Sequence, residues 1–143
     1  MLISQISVFV ENKSGKLSKI TGLLSDAKID IRALSIADTT DFGILRIIVN
    51  DPEKAEKVLK ENGLTVNKTK VIAVELDDKP GSLHRVLQTL SDSGIGVEYA
   101  YAFITRKNDN AYVILRVEES LSAIEILKKA GIKLLQASEV YSI

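Results

Sequence analysis

The chain has no cysteine, no tryptophan, one histidine and two prolines among its 143 residues. Without cysteine there is no disulfide, no thiol nucleophile and no thiolate metal ligand. The lone His84 leaves little from which to build a histidine-ligated metal site or a histidine-centred relay. An excess of one charge is also missing: 19 Lys and Arg face 19 Asp and Glu, and the balance holds in each half of the chain. No global field exists to hold nucleic acid or an anionic membrane surface. Uncharged apolar runs stay far short of the roughly 20 residues of a membrane span. The opening MLISQISVFVENK lacks a basic segment leading into a long apolar one, so the expectation is a cytoplasmic protein. What is present, 45% apolar and 27% charged residues with 5% aromatic, is the composition of an ordinary globular protein.

The chain repeats itself. At a shift of 66, residues 12–31 lie over 78–97 with the identities Lys13/Lys79, Gly15/Gly81, Leu17/Leu83, Leu24/Leu90, Ser25/Ser91, Asp26/Asp92 and Ile29/Ile95. A two-residue insertion between 105 and 110 changes the shift to 68, which pairs Ala55 with Ala123, Leu59 with Leu127 and Gly63 with Gly131. So long a period, present only twice, marks a duplicated small domain rather than a solenoid.

Each copy reads βαββαβ. In the first, Ile6, Val8 and Val10 alternate with Ser7 and Phe9 as a half-buried strand, and a turn at 12–15 follows. Leu17, Ile20, Leu24 and Ala27 then form a helical stripe with Ser14 as the expected N-cap. Strands are expected from Ile29 to Ala37 and from Gly43 to Val49. Asp51-Pro52-Glu53 opens a second helix that stops at Asn62-Gly63. The second copy repeats the plan, with strands over 71–76, 95–104 and 111–117, a helix capped by Ser120, and a last strand within 132–141. No Gly/Ser/Pro-rich linker separates the copies, which are read as residues 1–69 and 70–143, joined almost rigidly through 64–76. Four strands with both helices on one face predict the α+β, ferredoxin-like plait twice, with antiparallel sheets. The strand at 43–49 is apolar on both faces, and units this small are marginal alone. Association of the copies with each other and with a second chain, a homodimer, is therefore expected.

The turn after each first strand carries the chemistry. A glycine there permits close backbone approach, and the helix that follows presents free N–H groups suited to a carboxylate. Asn12 or Asp78 can accept from an ammonium group.

Copy two reads Asp78-Lys79-Pro80-Gly81-Ser82-Leu83 and copy one Asn12-Lys13-Ser14-Gly15-Lys16-Leu17. A βαββαβ unit whose first turn reads Asp-x-Pro-Gly-x-Leu resembles an ACT domain, the small-molecule regulatory module of many amino-acid metabolic enzymes. The resemblance covers essentially the whole chain as two tandem units. It implies binding of an amino acid beside the first turn and the second strand, between adjacent units. The residues it implicates are Asn12, Ser14, Gly15, Lys16, Leu17, Asp30 and Ile31 in copy one, and Asp78, Pro80, Gly81, Ser82, Leu83, Gly96 and Val97 in copy two. Many ACT domains place Asn where this chain has Asp30 and Gly96. Asp30 thus favours the first site, and the more intact turn favours the second.

The functional expectation is a non-enzymatic sensor with no cofactor and no metal that binds an amino acid and reports it to an enzyme or regulator in trans. The alternative is a ligand-free dimerisation adaptor. An acylphosphatase-like activity would need an arginine in the first turn, and both turns lack one. RNA recognition would need stacking aromatics on the third strand of copy one, which is aliphatic over 43–49. Other features have plainer readings: His84 as a solvated surface residue, Tyr99, Tyr101 and Phe103 as packing on one strand face, and the oxygen-rich segment 37–43 as a turn rather than a metal loop.

Overall fold

Alternation along the first strand, β1 (Ile3–Glu11), sends Ile6, Val8 and Val10 to one face, where they are buried under helices, and Ile3 and Gln5 to the other. A computed structural model describes residues 1–39, 41–104 and 109–143. The insertion read at 105–110 therefore lies mostly outside the described residues, as does Thr40 in the segment 37–43. After β1 come α1 (Lys16–Asp26), β2 (Ile31–Asp38), β3 (Phe42–Val49), α2 (Pro52–Glu61) and β4 (Val66–Asp77). The second copy continues with α3 (Ser82–Asp92), β5 (Val97–Ala102), β6 (Asn110–Val117), α4 (Ser120–Lys129), β7 (Lys133–Leu134) and α5 (Ala137–Ser142).

Helix α2 starts as its sequence demands. The Asp51 carboxylate accepts the Lys54 N–H at 3.0 Å, Pro52 occupies the first turn, and Lys60 stands in the last. Two caps differ from expectation. Ser14 stays in the turn while Gly15, left-handed at φ 82°, takes the N-cap position of α1, and Glu119 rather than Ser120 precedes α4.

Strand β4 joins the copies. Its residues 66–71 pair with β1 and 72–77 with β6, both antiparallel, so the 69/70 boundary falls inside one continuous strand. The strand order is β2-β3-β1-β4-β6-β5 with β7 beside β4. Helices cover one face over two cores, Ile6, Ile20, Leu24, Ile47 and Leu59 in copy one and Ile72, Val86, Leu90, Leu115 and Leu127 in copy two. The sheet curls until its outer strands touch: Ala33 bridges Phe103, and the Ile104 N–H donates to the Arg32 carbonyl at 3.0 Å.

The opposite faces of the two copies thereby enclose a third core of Ile3, Ala33, Ile48, Val71, Ala73, Ile114 and Val140. Ile48 on the two-sided strand β3 is fully buried within one chain, covered by the second copy and α5. The last strand expected within 132–141 is present as β7, but it is short. Lys133 and Leu134 form the ladder with β4 and the Leu135 N–H adds one bond to the Ala73 carbonyl, after which Gln136 and Glu139 form a capping box that starts α5 and carries Val140 into the third core. Strand β2 likewise begins at Ile31 rather than Ile29, with an irregularity in register between Ile31 and Ala33. Among the described residues no helix is long and apolar enough to cross a membrane.

A candidate ligand site at the first turn

The two turns have the same construction. Each glycine is left-handed, Gly15 at φ 82° and Gly81 at φ 91°, a conformation that leaves a branched side chain strained. The Asn12 N–H donates to the Asp41 carbonyl at 3.0 Å and the Asp78 N–H to the Asp109 carbonyl at 3.1 Å, which pins each turn to the hairpin between the second and third strands. Asn12 and Asp78 are both engaged in further contacts. Lys13 pairs with Glu11 at 2.9 Å and Lys79 with Asp77 at 3.0 Å, so each turn neutralises the end of the strand before it. The hydrogen bond from Lys13, aided by its charge and that of Lys16, holds the Glu11 carboxyl below its usual range. Gly15 and Gly81 accept the N–H groups of Lys19 and Arg85. Among the described residues no acceptor reaches the backbone N–H of Leu17, Ser18, Leu83 or His84.

On the β2 side of the copy-one turn lies a groove of about 130 Å³. Of the residues expected there, it brings together Asn12, Lys16 and Leu17, with Ile36, Asp38 and Gly43 completing the wall. Ser14 and Gly15 shape the turn without lining the groove. Asp30 and Ile31 are elsewhere, in a shallow depression beside the C-terminal end of α1. The reason is directional. β2 runs parallel to β1, so its beginning is separated from the turn by the length of α1, about 16 Å for eleven helical residues, and only its end comes back beside the turn. Asp30 is tied up locally: its carboxylate pairs with Arg32 at 2.8 Å and its N–H donates to the Asn50 side chain at 2.9 Å. Gly96 and Val97 stand at the corresponding place in copy two, where the Glu118 carboxylate sits so close over Gly96 that an added Cβ would meet it at 2.9 Å.

In copy two, Pro80, Gly81 and Ser82 line a different space, a cleft of about 540 Å³ between α3 and the segment leading into β7. Copy one has its counterpart, about 460 Å³, between α1 and residues 62–65. Both clefts are larger than the groove, and charged groups of the copy-two cleft are engaged with one another. Around the copy-two cleft Lys133 pairs with Glu75, Lys79 with Asp77, and the Arg85 guanidinium donates to the Ala130 carbonyl at 2.9 Å. Leu83 is exposed to the same extent as Leu17, and His84 is exposed as well.

Ile36, Asp38 and Gly43 are the wall residues that the motif did not identify. Strand direction was the available signal: a parallel β2 must end beside the turn, so its last residues, not its first, lie next to the groove. Tyr99, Tyr101 and Phe103 pack against the third core and its polar margin, as their alternation suggested. No group of metal-ligating side chains is found among the described residues.

Residues 1–120 match the family model described as an ACT domain pair. The crystal structure of a protein from Bacteroides thetaiotaomicron is similar over 100% of this chain and 98% of that one, with a TM-score of 0.94 and 43% identity. The regulatory subunit of aspartate kinase from Thermus thermophilus, in its ligand-free form, shares the fold with a TM-score of 0.63 and 15% identity, over 89% of this chain and 91% of that one. The acetolactate synthase small subunit of Haemophilus influenzae is 34% identical over 70 residues, 47% of this chain and 43% of that protein. Its counterpart in Buchnera aphidicola is 30% identical over 73 residues, 49% of this chain and 46% of that protein. The match thus spans less than half the length of these curated relatives.

Proposed function

We propose that this chain, which belongs to the ACT domain pair family, is a non-catalytic regulatory protein of the cytoplasm that binds an amino acid and reports it to a metabolic enzyme or regulator in trans. The observation that carries this reading is the groove beside the copy-one turn. It sets the cation of Lys16 and the first N–H groups of α1 on one side, the carboxylate of Asp38 on another, and the aliphatic Leu17 and Ile36 between them. A zwitterion with an uncharged, compact side chain matches that pattern, its carboxylate toward the helix start and its ammonium toward the acid. About 130 Å³ suits a molecule of that size rather than a nucleotide or a peptide. Similarity to two acetolactate synthase small subunits supports a partner enzyme in trans.

The protein acts as a homodimer in this reading. Leu34 and Ile36 on the edge strand β2 remain exposed after the third core has covered Ile48, and a second chain would cover them. The same exposed edge, with a groove this small, is what favours the second reading, a dimerisation adaptor without a ligand.

A thermal-shift screen of the common amino acids separates the two. A ligand at 100 times its Kd adds about 2.7 kcal/mol to the stability of the folded state. The regulatory reading expects a clear rise in Tm with at least one amino acid. A flat screen with a dimer in sedimentation leaves the adaptor.

A further inference from the structure

We infer that the two copies are not equivalent sites: only the first holds the ligand, and Gly43 and Asp38 are the residues that make it so. This rests on the amino-acid-binding reading above and goes further in naming the copy and its determinants.

The floor of the copy-one groove is a single row across three strands. Val10 of β1 pairs with Gly43 of β3, which pairs with Asp38 of β2. Val10 is buried on the helix-covered face, so the row looks toward the start of α1, where Lys16 and Leu17 complete the groove. Gly43 has no side chain to fill the middle of the row, and the gap it leaves is the depth of the groove. At the edge of the gap stands Asp38. Of the four charged residues lining the groove, Glu11 and Lys13 pair with each other at 2.9 Å, while among the described residues neither Asp38 nor Lys16 is in an ion pair. One acid and one base face a gap between them, the charge pattern of a zwitterion's two ends.

Copy two has the same row with different contents. Leu76 of β4 pairs with Ala111 of β6, and in the sequence the shift of 66 sets Ile104, two residues past the end of β5, at the position of Asp38. Ala111 carries a methyl where Gly43 has none, and Ile104, 62% exposed, has no acceptor for an ammonium group. The intact Asp-x-Pro-Gly motif of copy two therefore goes with a methyl at the centre of the row and, by sequence correspondence, no acid in the place of Asp38.

Gly43 can be tested without breaking the fold. Its backbone is not left-handed, and a Cβ there would meet the Ala37 oxygen at 3.7 Å, Ile36 Cγ2 at 3.8 Å and Asp38 Cβ at 3.9 Å, all ordinary contacts. The experiment is titration calorimetry on the full chain with the amino acid that gives the largest thermal shift. The wild type should bind one equivalent per chain. Gly43→Val should weaken binding at least about tenfold and Asp38→Ile similarly, with Gly43→Ala intermediate. Ala111→Val, the matching change in copy two, should leave affinity and stoichiometry unchanged, as should Asp78→Asn. Unfolding curves confirm that each variant is folded, and Gly43→Ala serves if the valine variant is not. Two equivalents per chain, unchanged affinity in both copy-one variants, or loss of binding in Ala111→Val overturns the inference while leaving the amino-acid reading intact. A wild type that binds no amino acid overturns that reading, and the inference with it.

Discussion

Gln5 is fully buried between the two copies, and hydroxyls of the second copy bracket its amide. Its Nε2 donates to the Tyr99 hydroxyl at 2.8 Å and to Ser7 Oγ at 3.2 Å, while its Oε1 accepts from the Tyr101 hydroxyl at 2.6 Å. The Arg46 guanidinium lies 3.7 Å from the centre of the Tyr99 ring. A buried amide with both ends satisfied stabilises little in net terms but is costly to break. Tyr101→Phe removes the donor to Oε1 and should cost about 1–3 kcal/mol at neutral pH in denaturant unfolding. Burial first, and then the neighbouring Tyr99, pushes the Tyr101 hydroxyl well above its ordinary value. The folded state thus holds this proton more tightly than the unfolded chain does. Its contribution to stability is complete below the unfolded tyrosine value of 10.0 and declines as the pH rises beyond it. Stability of the wild type should fall above about pH 10, and Tyr101→Phe should flatten that decline. An equal alkaline slope in both proteins would remove Tyr101 as its source. The packing role of the 99–103 stripe was legible from alternation. Its hydrogen-bond partner was not, because Gln5 is more than ninety positions away and nothing local in either segment names the other.

Helix α5 has no counterpart in copy one, where the last strand runs on into copy two as β4. It seals the third core. The Leu135 N–H donates to the Ala73 carbonyl at 2.9 Å, the Tyr141 hydroxyl accepts the Ser4 N–H at 3.0 Å, and Val140 is completely buried. Val140→Ala should cost about 2 kcal/mol through lost burial and the cavity left behind, measured by denaturant unfolding. Ser142→Ala at an exposed position of the same helix should stay within about 0.5 kcal/mol. Comparable losses in the two variants would contradict a sealing role for α5. Most elements were readable from periodicity and end signals, and Asp51-Pro52 is the clearest case. The last one was not, because apolar residues at 132, 134 and 135 read as a strand. The capping pair Gln136 and Glu139 that interrupts it becomes decisive only when a third core exists to receive Val140. Asp30 illustrates the same gap at the site. The motif points to the start of β2, and only the direction of that strand relative to β1 reveals that Asp38 is the acid beside the turn.

At the scale of the whole molecule, a strand shared by both copies and a core built from both make one unit out of a duplication. Cutting the chain at the 69/70 boundary would divide β4 and expose Ile3, Ile48 and Val71. Scanning calorimetry should therefore show one transition whose calorimetric and van't Hoff enthalpies agree. Two resolved transitions would mean that the copies unfold independently and that the third core holds them weakly. The duplication and its fold were legible because both copies keep the same turn, stripe and end signals. How the copies face each other was not, since that geometry follows from the curl of a sheet rather than from any local pattern. The central claim remains the amino acid held by its two charged ends. Titration calorimetry with the amino acid that most raises Tm, its N-acetyl form and its amide tests this most directly. The free amino acid should bind, and blocking either end should weaken binding by at least about tenfold, because each block removes one charge-assisted contact. Undiminished affinity for the N-acetyl form or the amide would contradict recognition through that end and with it the account of the site.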